Sequence, residues 1–271
     1  MSWKILGLFE FFWVMADKIY NPRRRKCVVK SSEVALLVVF TALVAAATMI
    51  LSVYFPLTRG YFNLGETMVY LAALVGGPVV GAFAGGVGSA LADVLLGYTA
   101  FAPGTLLIKA AEGATAAILY RRLRNVSVPN ALLLSAIVVG LYFGILVSVG
   151  VFLMSGIVEI TLYTGESLQL AVNPGTWVLL ALLGSAVPAY YGFRRKEYEA
   201  WLVGSLLLAG LVMVAGYFLY ESLAVFLGVL PDILPLAEVP LNIGQVVVGS
   251  AVAIPIYKAV RARISLPSVS R

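Results

Sequence analysis

Lys109 and Glu112 stand three residues apart inside a long apolar stretch, a spacing that lets both lie on one face of a helix and form an ion pair. Glu66, Asp93, Glu221 and Glu238 are embedded in similar surroundings. A carboxylate or ammonium at membrane depth is costly unless it is paired or faces a polar cavity. These six side chains therefore imply a binding site, a transport path or polar fastening between helices. For Lys109 and Glu112 the structural or helix-coupling role is the better reading, because the pair can neutralise itself. Glu66 and Asp93 are structural-polar candidates of the same kind, Asp93 lying about a turn before Gly97. Acidity alone gives none of them a catalytic role.

The elements that must position these residues are apolar throughout. The chain has 271 residues, of which 61% are hydrophobic and only 12% charged. A soluble domain of this size carries about 25% charged residues. The apolar runs are long enough to cross a hydrocarbon core of about 30 Å as helices, and they lack the short alternation of barrel strands. The expected class is an all-α polytopic membrane protein. There is no histidine, and Cys27 is the one cysteine. That excludes intrachain disulfides, histidine acid–base catalysis and the usual His/Cys zinc sites. No bound cofactor or metal is expected. The net charge of +6 comes from basic clusters between apolar segments, which read as cytoplasmic topology signals rather than a nucleic-acid surface.

Residues 1–30 read as an interfacial or flexible segment. Trp3, Phe9, Phe12 and Trp13 would meet the lipid, while Lys4, Glu10 and Asp17 interrupt the run. An extra span is the alternative. The predicted spans are about 34–55, 64–75, 79–96, 104–120, 130–157, 176–191, 201–227 and 238–257. This arrangement puts the basic clusters at 23–26, 121–124, 194–196 and 258–263 on one side of the membrane. Gly77, Gly81 and Gly85 recur every fourth residue, with Gly88 and Ala92 near the same stripe. Small residues at this spacing allow close helix packing, the better reading over a glycine-lined conduit. No phosphate-binding G-x-x-x-x-G-K-[ST] motif occurs.

Four ordered segments carry a family resemblance: NLGETMVYLAALVGGPVVGAFAGGVGSALADVLLG, YTAFAPGTLLIKAAEGATAAILY, GYFLYESLAVFLG and AEVPLNIGQVVVGSAVAIPIYKAV. Together they resemble a substrate-binding S component of the energy-coupling factor (ECF) transporters, which take up vitamins in prokaryotes. The resemblance implies a six-helix core with both termini cytoplasmic. The core would occupy 31–124 and 199–264, an inserted helix pair 125–198, and a cytoplasmic tail 265–271.

The resemblance also implies partners and sites. Ala42 and Ala46 match a small-residue face that packs on a transmembrane coupling subunit. The ligand pocket would draw on Tyr61, Asn63 and Tyr98, then Tyr217, Glu221, Glu238, Asn242 and Gln245, with Phe62, Phe101, Thr105 and Tyr220 nearby. Aromatic rings can stack on a heterocycle, while amides and carboxylates orient it. ATP would be used by two ATP-binding partner subunits, since this chain has no nucleotide motif. The implied function is capture of a small nutrient, such as a vitamin or vitamin precursor, for ATP-driven uptake across the prokaryotic cell membrane. The rival is an autonomous secondary transporter coupled to ions through the buried charges. A membrane enzyme is the third and weakest reading, given the missing histidine and serine signatures.

Overall fold

A computed structural model describes residues 31–55, 58–123, 128–153, 155–162, 167–193, 197–231 and 233–263. The expected N-terminal segment (1–30) and the tail (265–271) lie outside the described residues. The chain divides into two units, Met1–Val34 and Ala35–Arg271. Apart from residues 31–34, the architecture below is that of the second.

Eight helices occur among the described residues: α1 (Ser31–Ile50), α2 (Gly65–Gly76), α3 (Pro78–Leu96), α4 (Ala102–Leu123), α5 (Val128–Leu153), α6 (Pro174–Phe193), α7 (Glu197–Phe226) and α8 (Pro235–Arg263). Each expected apolar segment overlaps one of them. Stretches within α1, α3, α5, α7 and α8 are long and apolar enough to cross a membrane on their own. The chain is an all-α polytopic membrane protein. Charged residues dilute α4, while α2 and the apolar part of α6 are short.

Two predicted spans stop early. The first ends at Ile50 rather than residue 55, and the fifth at Leu153 rather than 157. The chain leaving each helix becomes a strand. Ser52–Phe55 (β1) pairs antiparallel with Gly60–Asn63 (β2), and Gly156–Leu162 (β3) with Ser167–Val172 (β4). These sequences are rich in β-branched and aromatic residues, which suit a pleated surface. The first hairpin turns at Thr58 and Arg59, whose amides both bond Phe55 O, with Arg59 at φ 54°. β1 also pairs with β3 through Val53↔Leu162 and Tyr54↔Thr161, giving one sheet of order β2-β1-β3-β4. Both hairpins therefore share one end of the bundle. At the other end the basic termini of α4 and α8 meet. There Tyr120 and Tyr257 pack edge to face at 5.9 Å, and Arg261 Nη1 donates to Tyr120 Oη at 3.4 Å.

In lipid, helices gain little from apolar burial against one another, so close van der Waals packing carries association. The small-residue stripe of α3 supplies it. A Cβ on Gly81 would stand 2.7 Å from Gly113 O, and one on Gly85 2.8 Å from Lys109 O. These glycines bring the α3 and α4 backbones together, as the packing reading requires. Gly88 faces α1 instead, against Thr41 O and Val44. Gly77 leaves the stripe altogether. It is the α2–α3 turn, at φ 85°, where a side chain would be strained. The central core packs Tyr70 of α2 with Leu202, Leu206 and Met213 of α7 and with Ile243 and Ile254 of α8. α1 lies at the edge of the bundle and leaves Val38, Val39 and Leu43 exposed.

Candidate functional site

Helical and strand spacing aim several side chains at one point near the hairpin end. Residues four apart on a helix share a face. Ser89 and Asp93 do so on α3, Thr105 and Lys109 on α4, and Tyr217 and Glu221 on α7. Glu238, Asn242 and Gln245 form a similar row on α8. Residues two apart on a strand share a side, which brings Tyr61 and Asn63 of β2 to the same place. All of these, with Thr48, Gly60, Glu66, Tyr98 and Phe101, line one cavity with about 40 Å³ of free space.

Tyr98 arrives there through the end of α3. Gly97 adopts the left-handed conformation at φ 90°, and the Tyr98 amide returns to Asp93 O at 2.7 Å. This is a left-handed helix cap in which glycine avoids a Cβ penalty. It stacks the Tyr98 ring near that of Tyr61, with centroids 4.6 Å apart. Tyr61 donates its hydroxyl to Asp93 Oδ1 at 2.5 Å. Burial first, and then the Asp93 charge, raise the Tyr61 phenol above its ordinary pKa. Tyr98 is pushed up to about 12, chiefly by burial and then by Tyr54, Asp93 and Glu238. Both phenols therefore stay protonated donors at neutral pH.

A chain of amides forms a second wall. The Gly65 amide at the start of α2 donates to Asn63 Oδ1 at 2.8 Å. Asn63 Nδ2 then donates to Gln245 Oε1 at 2.8 Å, and Gln245 Nε2 to Asn242 Oδ1 at 3.2 Å. A backbone N–H can only donate, so it fixes every amide in the series. The chain ends on Asn242 Nδ2, which is buried and has no hydrogen-bond partner among the described residues.

Lys109 donates to Glu66 and to Glu112 Oε2, the latter at 3.2 Å. Its ammonium also lies 5.8 Å from the centroid of the Tyr217 ring. Tyr70 completes the cluster by donating to Glu112 Oε1 at 2.9 Å. The expected Lys109–Glu112 pair is thus part of a triad with Glu66. Glu112 sits behind the cavity, whereas Glu66, Asp93 and Lys109 are in its wall. The structural-polar set and the pocket candidates meet at the same cavity wall. The two are contiguous.

All eight pocket candidates named from sequence line the cavity: Tyr61, Asn63, Tyr98, Tyr217, Glu221, Glu238, Asn242 and Gln245. Their neighbours divide. Phe101 and Thr105 reach the cavity, and Tyr217 donates to Thr105 Oγ1 at 3.0 Å. Tyr220 instead bonds Ala100 O at 2.5 Å and covers Gly104. Phe62 points to the opposite side of β2 from Tyr61. It lines a separate apolar cavity of ≈ 580 Å³ with Phe55, Trp177 and Leu241. Thr48 and Ser89 carried no sequence expectation. The spacing of Ser89 four residues before Asp93 was the available signal. Among the described residues, no three of His, Cys, Asp and Glu are grouped to hold a metal ion. Ala42 is exposed and Ala46 half-buried on α1.

The sequence profile of the ECF-type riboflavin transporter S component family matches residues 28–187, more than half of the chain. The chain belongs to this family. Members of the S component family are substrate-binding subunits of transporters, not enzymes. The match runs through α5 and most of α6, within residues 125–198 that the sequence set apart as an inserted pair. It stops before α7 and α8, which supply Tyr217, Glu221, Glu238, Asn242 and Gln245 to the cavity. This S component is also similar to an uncharacterized protein in gap 3'region of Pyrococcus woesei, with 51% identity over 70 residues. That segment is 26% of this chain and 47% of the relative, so the chain spans about half the relative's length. No solved structure matches it.

Proposed function

We propose that the chain captures a small nutrient, of the vitamin or vitamin-precursor class, for ATP-driven uptake through a separate membrane subunit and two ATP-binding subunits. The observation that carries this reading is convergence. Side chains from β2, the α3–α4 loop, α7 and α8 meet at one polar cavity within an otherwise apolar bundle. Orientation follows from the ends of that bundle. The excess of Lys and Arg in cytoplasmic segments supports an orientation with the basic ends of α4 and α8 inside and the hairpins and cavity toward the outside. Ligand pockets for drug-sized molecules hold about 300–1,000 Å³. The cavity is far smaller, so ligand entry has to displace side chains from its walls. Ala42 and Ala46, with exposed Val38 and Val39, form the face of α1 offered to the coupling subunit.

The test is reconstitution in vesicles with a coupling subunit and its ATPases. Uptake should require ATP and every partner. The buried Lys109–Glu66–Glu112 cluster favours one rival, an ion-coupled secondary transporter. Gradient-driven accumulation by vesicles holding only this chain would establish that rival and reject the proposal.

A further inference from the structure

The apolar cavity of ≈ 580 Å³ lies on the other side of β2 and α8 from the polar one. Periodicity in each element builds the partition. On β2, Tyr61 and Asn63 face the polar cavity and Phe62 the apolar one. On α8, Asn242 and Gln245 face the first, while Pro240, Gly244, Val248 and Ala251 face the second. Those four recur at three- or four-residue spacing and make one stripe along the helix. Thr176, Leu180 and Gly184 of α6 form a matching stripe on the opposite wall. The two helices touch without closing the slot between them. A Cβ on Gly184 would stand 3.3 Å from Val247 Cγ1, whereas one on Gly244 would meet Phe62 of β2.

The lining narrows what can fill this slot. Among its described residues, the polar side-chain atoms are Thr176 Oγ1 and Trp177 Nε1, both near the hairpin end. A buried water needs two to four polar partners, so water does not fill the rest. A nutrient would find few groups to orient it there. Leu180, Leu183 and Val252 line the slot and are also exposed. At membrane depth it therefore opens sideways to lipid. From Pro240 to Val252 the stripe is about 18 Å long, at about 1.5 Å per helical residue. One leaflet supplies half of a hydrocarbon core of about 30 Å. The slot thus has a leaflet's length, a polar end at the hairpins and an apolar remainder.

We propose that this slot binds one acyl chain of a membrane phospholipid between α6 and α8, with the headgroup toward Thr176 and Trp177. Tryptophan suits that end, since its amphipathic ring favours the headgroup level. The chain packs on Phe62 and Leu241. It thereby backs the strand and the helix whose other sides carry Tyr61, Asn63 and Asn242. The assignment rests on the membrane class of the protein and not on which nutrient it captures.

The test uses the full chain, washed free of lipid in detergent, and a phosphatidylcholine spin-labelled midway along one acyl chain. The label quenches tryptophan fluorescence on close approach, and Trp177 lines the slot. Quenching should saturate at one lipid per chain, and native mass spectrometry should find one lipid retained. Trp177→Phe should remove the saturable quenching and keep the retained lipid. Gly244→Leu and Ala251→Phe place bulk in the slot and should lose both signals, with monodispersity and thermal midpoint reporting an intact fold. Leu182→Phe, on an exposed part of α6 outside the slot, should change neither. Quenching that never saturates in the unsubstituted chain overturns the site whatever the variants do, since it marks boundary lipid alone. Saturable binding that survives both slot-filling variants in folded form also overturns it. A dimer that those variants dissociate would assign the slot to a second copy and overturn the lipid assignment as well.

Discussion

Tyr61 on β2 is joined to Asp93 near the end of α3 by a 2.5 Å hydrogen bond across 32 residues of sequence, while its ring stacks on Tyr98. The bond closes one side of the cavity, and the ring contact closes the same side without it. Tyr61→Phe separates the two. The stack should persist and Asp93 Oδ1 should lose the Tyr61 hydroxyl. The expected cost is about 1–3 kcal/mol of stability, read as a lower thermal midpoint in detergent. An unchanged midpoint would mean that the hydroxyl contributes nothing beyond the ring.

Lys109 is the cation of a buried cluster with two carboxylates. Removing one partner of a buried ion pair leaves uncompensated charge and costs about 3–5 kcal/mol. Lys109→Met should therefore reduce the yield of folded, monodisperse protein. Combining it with Glu66→Gln should recover part of the loss, and a double-mutant cycle gives the coupling. Strict additivity of the two effects would contradict the direct contact.

Close approach of α3 and α4 depends on the absence of side chains at Gly81 and Gly85. Gly85→Ala places a methyl 2.8 Å from Lys109 O, so one backbone has to move. Overpacking of this kind costs about 1–3 kcal/mol. Because Lys109 moves with its backbone, stability and ligand affinity should fall together. Gly140→Ala on α5 has open space around its new methyl and serves as the control, with both properties preserved.

The outer face of α1 makes a separable prediction. Ala42→Trp adds bulk where the residue is exposed and far in sequence from the cavity-lining helices α7 and α8. Ligand-induced stabilisation should be unchanged, while copurification with the coupling subunit and ATP-driven uptake should drop. Normal coupling in this variant would move the partner surface elsewhere.

Helix positions were legible because hydropathy marks membrane crossing. The strands were not, because SVYF continues the apolar run of α1, and GIV at the start of β3 extends that of α5. Composition alone does not separate a short buried strand from the end of a helix. The pocket residues could be named from the resemblance, yet their meeting in one cavity depends on the packing of helices distant in sequence. Phe62 shows the limit most clearly. Its neighbours Tyr61 and Asn63 enter the cavity, and only the unrecognised strand, with its two-residue alternation, turns Phe62 away. Glu66 was ambiguous for a related reason, since its partner Lys109 is 43 residues away.

The amide series from Gly65 through Asn63 and Gln245 to Asn242 contains no titrating group. Its polarity is dictated by a peptide bond, and acidification has no proton to add to it. The wall that it forms offers the same recognition in acidic and alkaline surroundings. Any pH dependence of ligand binding in this cavity must then originate in its carboxylates, its tyrosines and Lys109, or in the ligand itself.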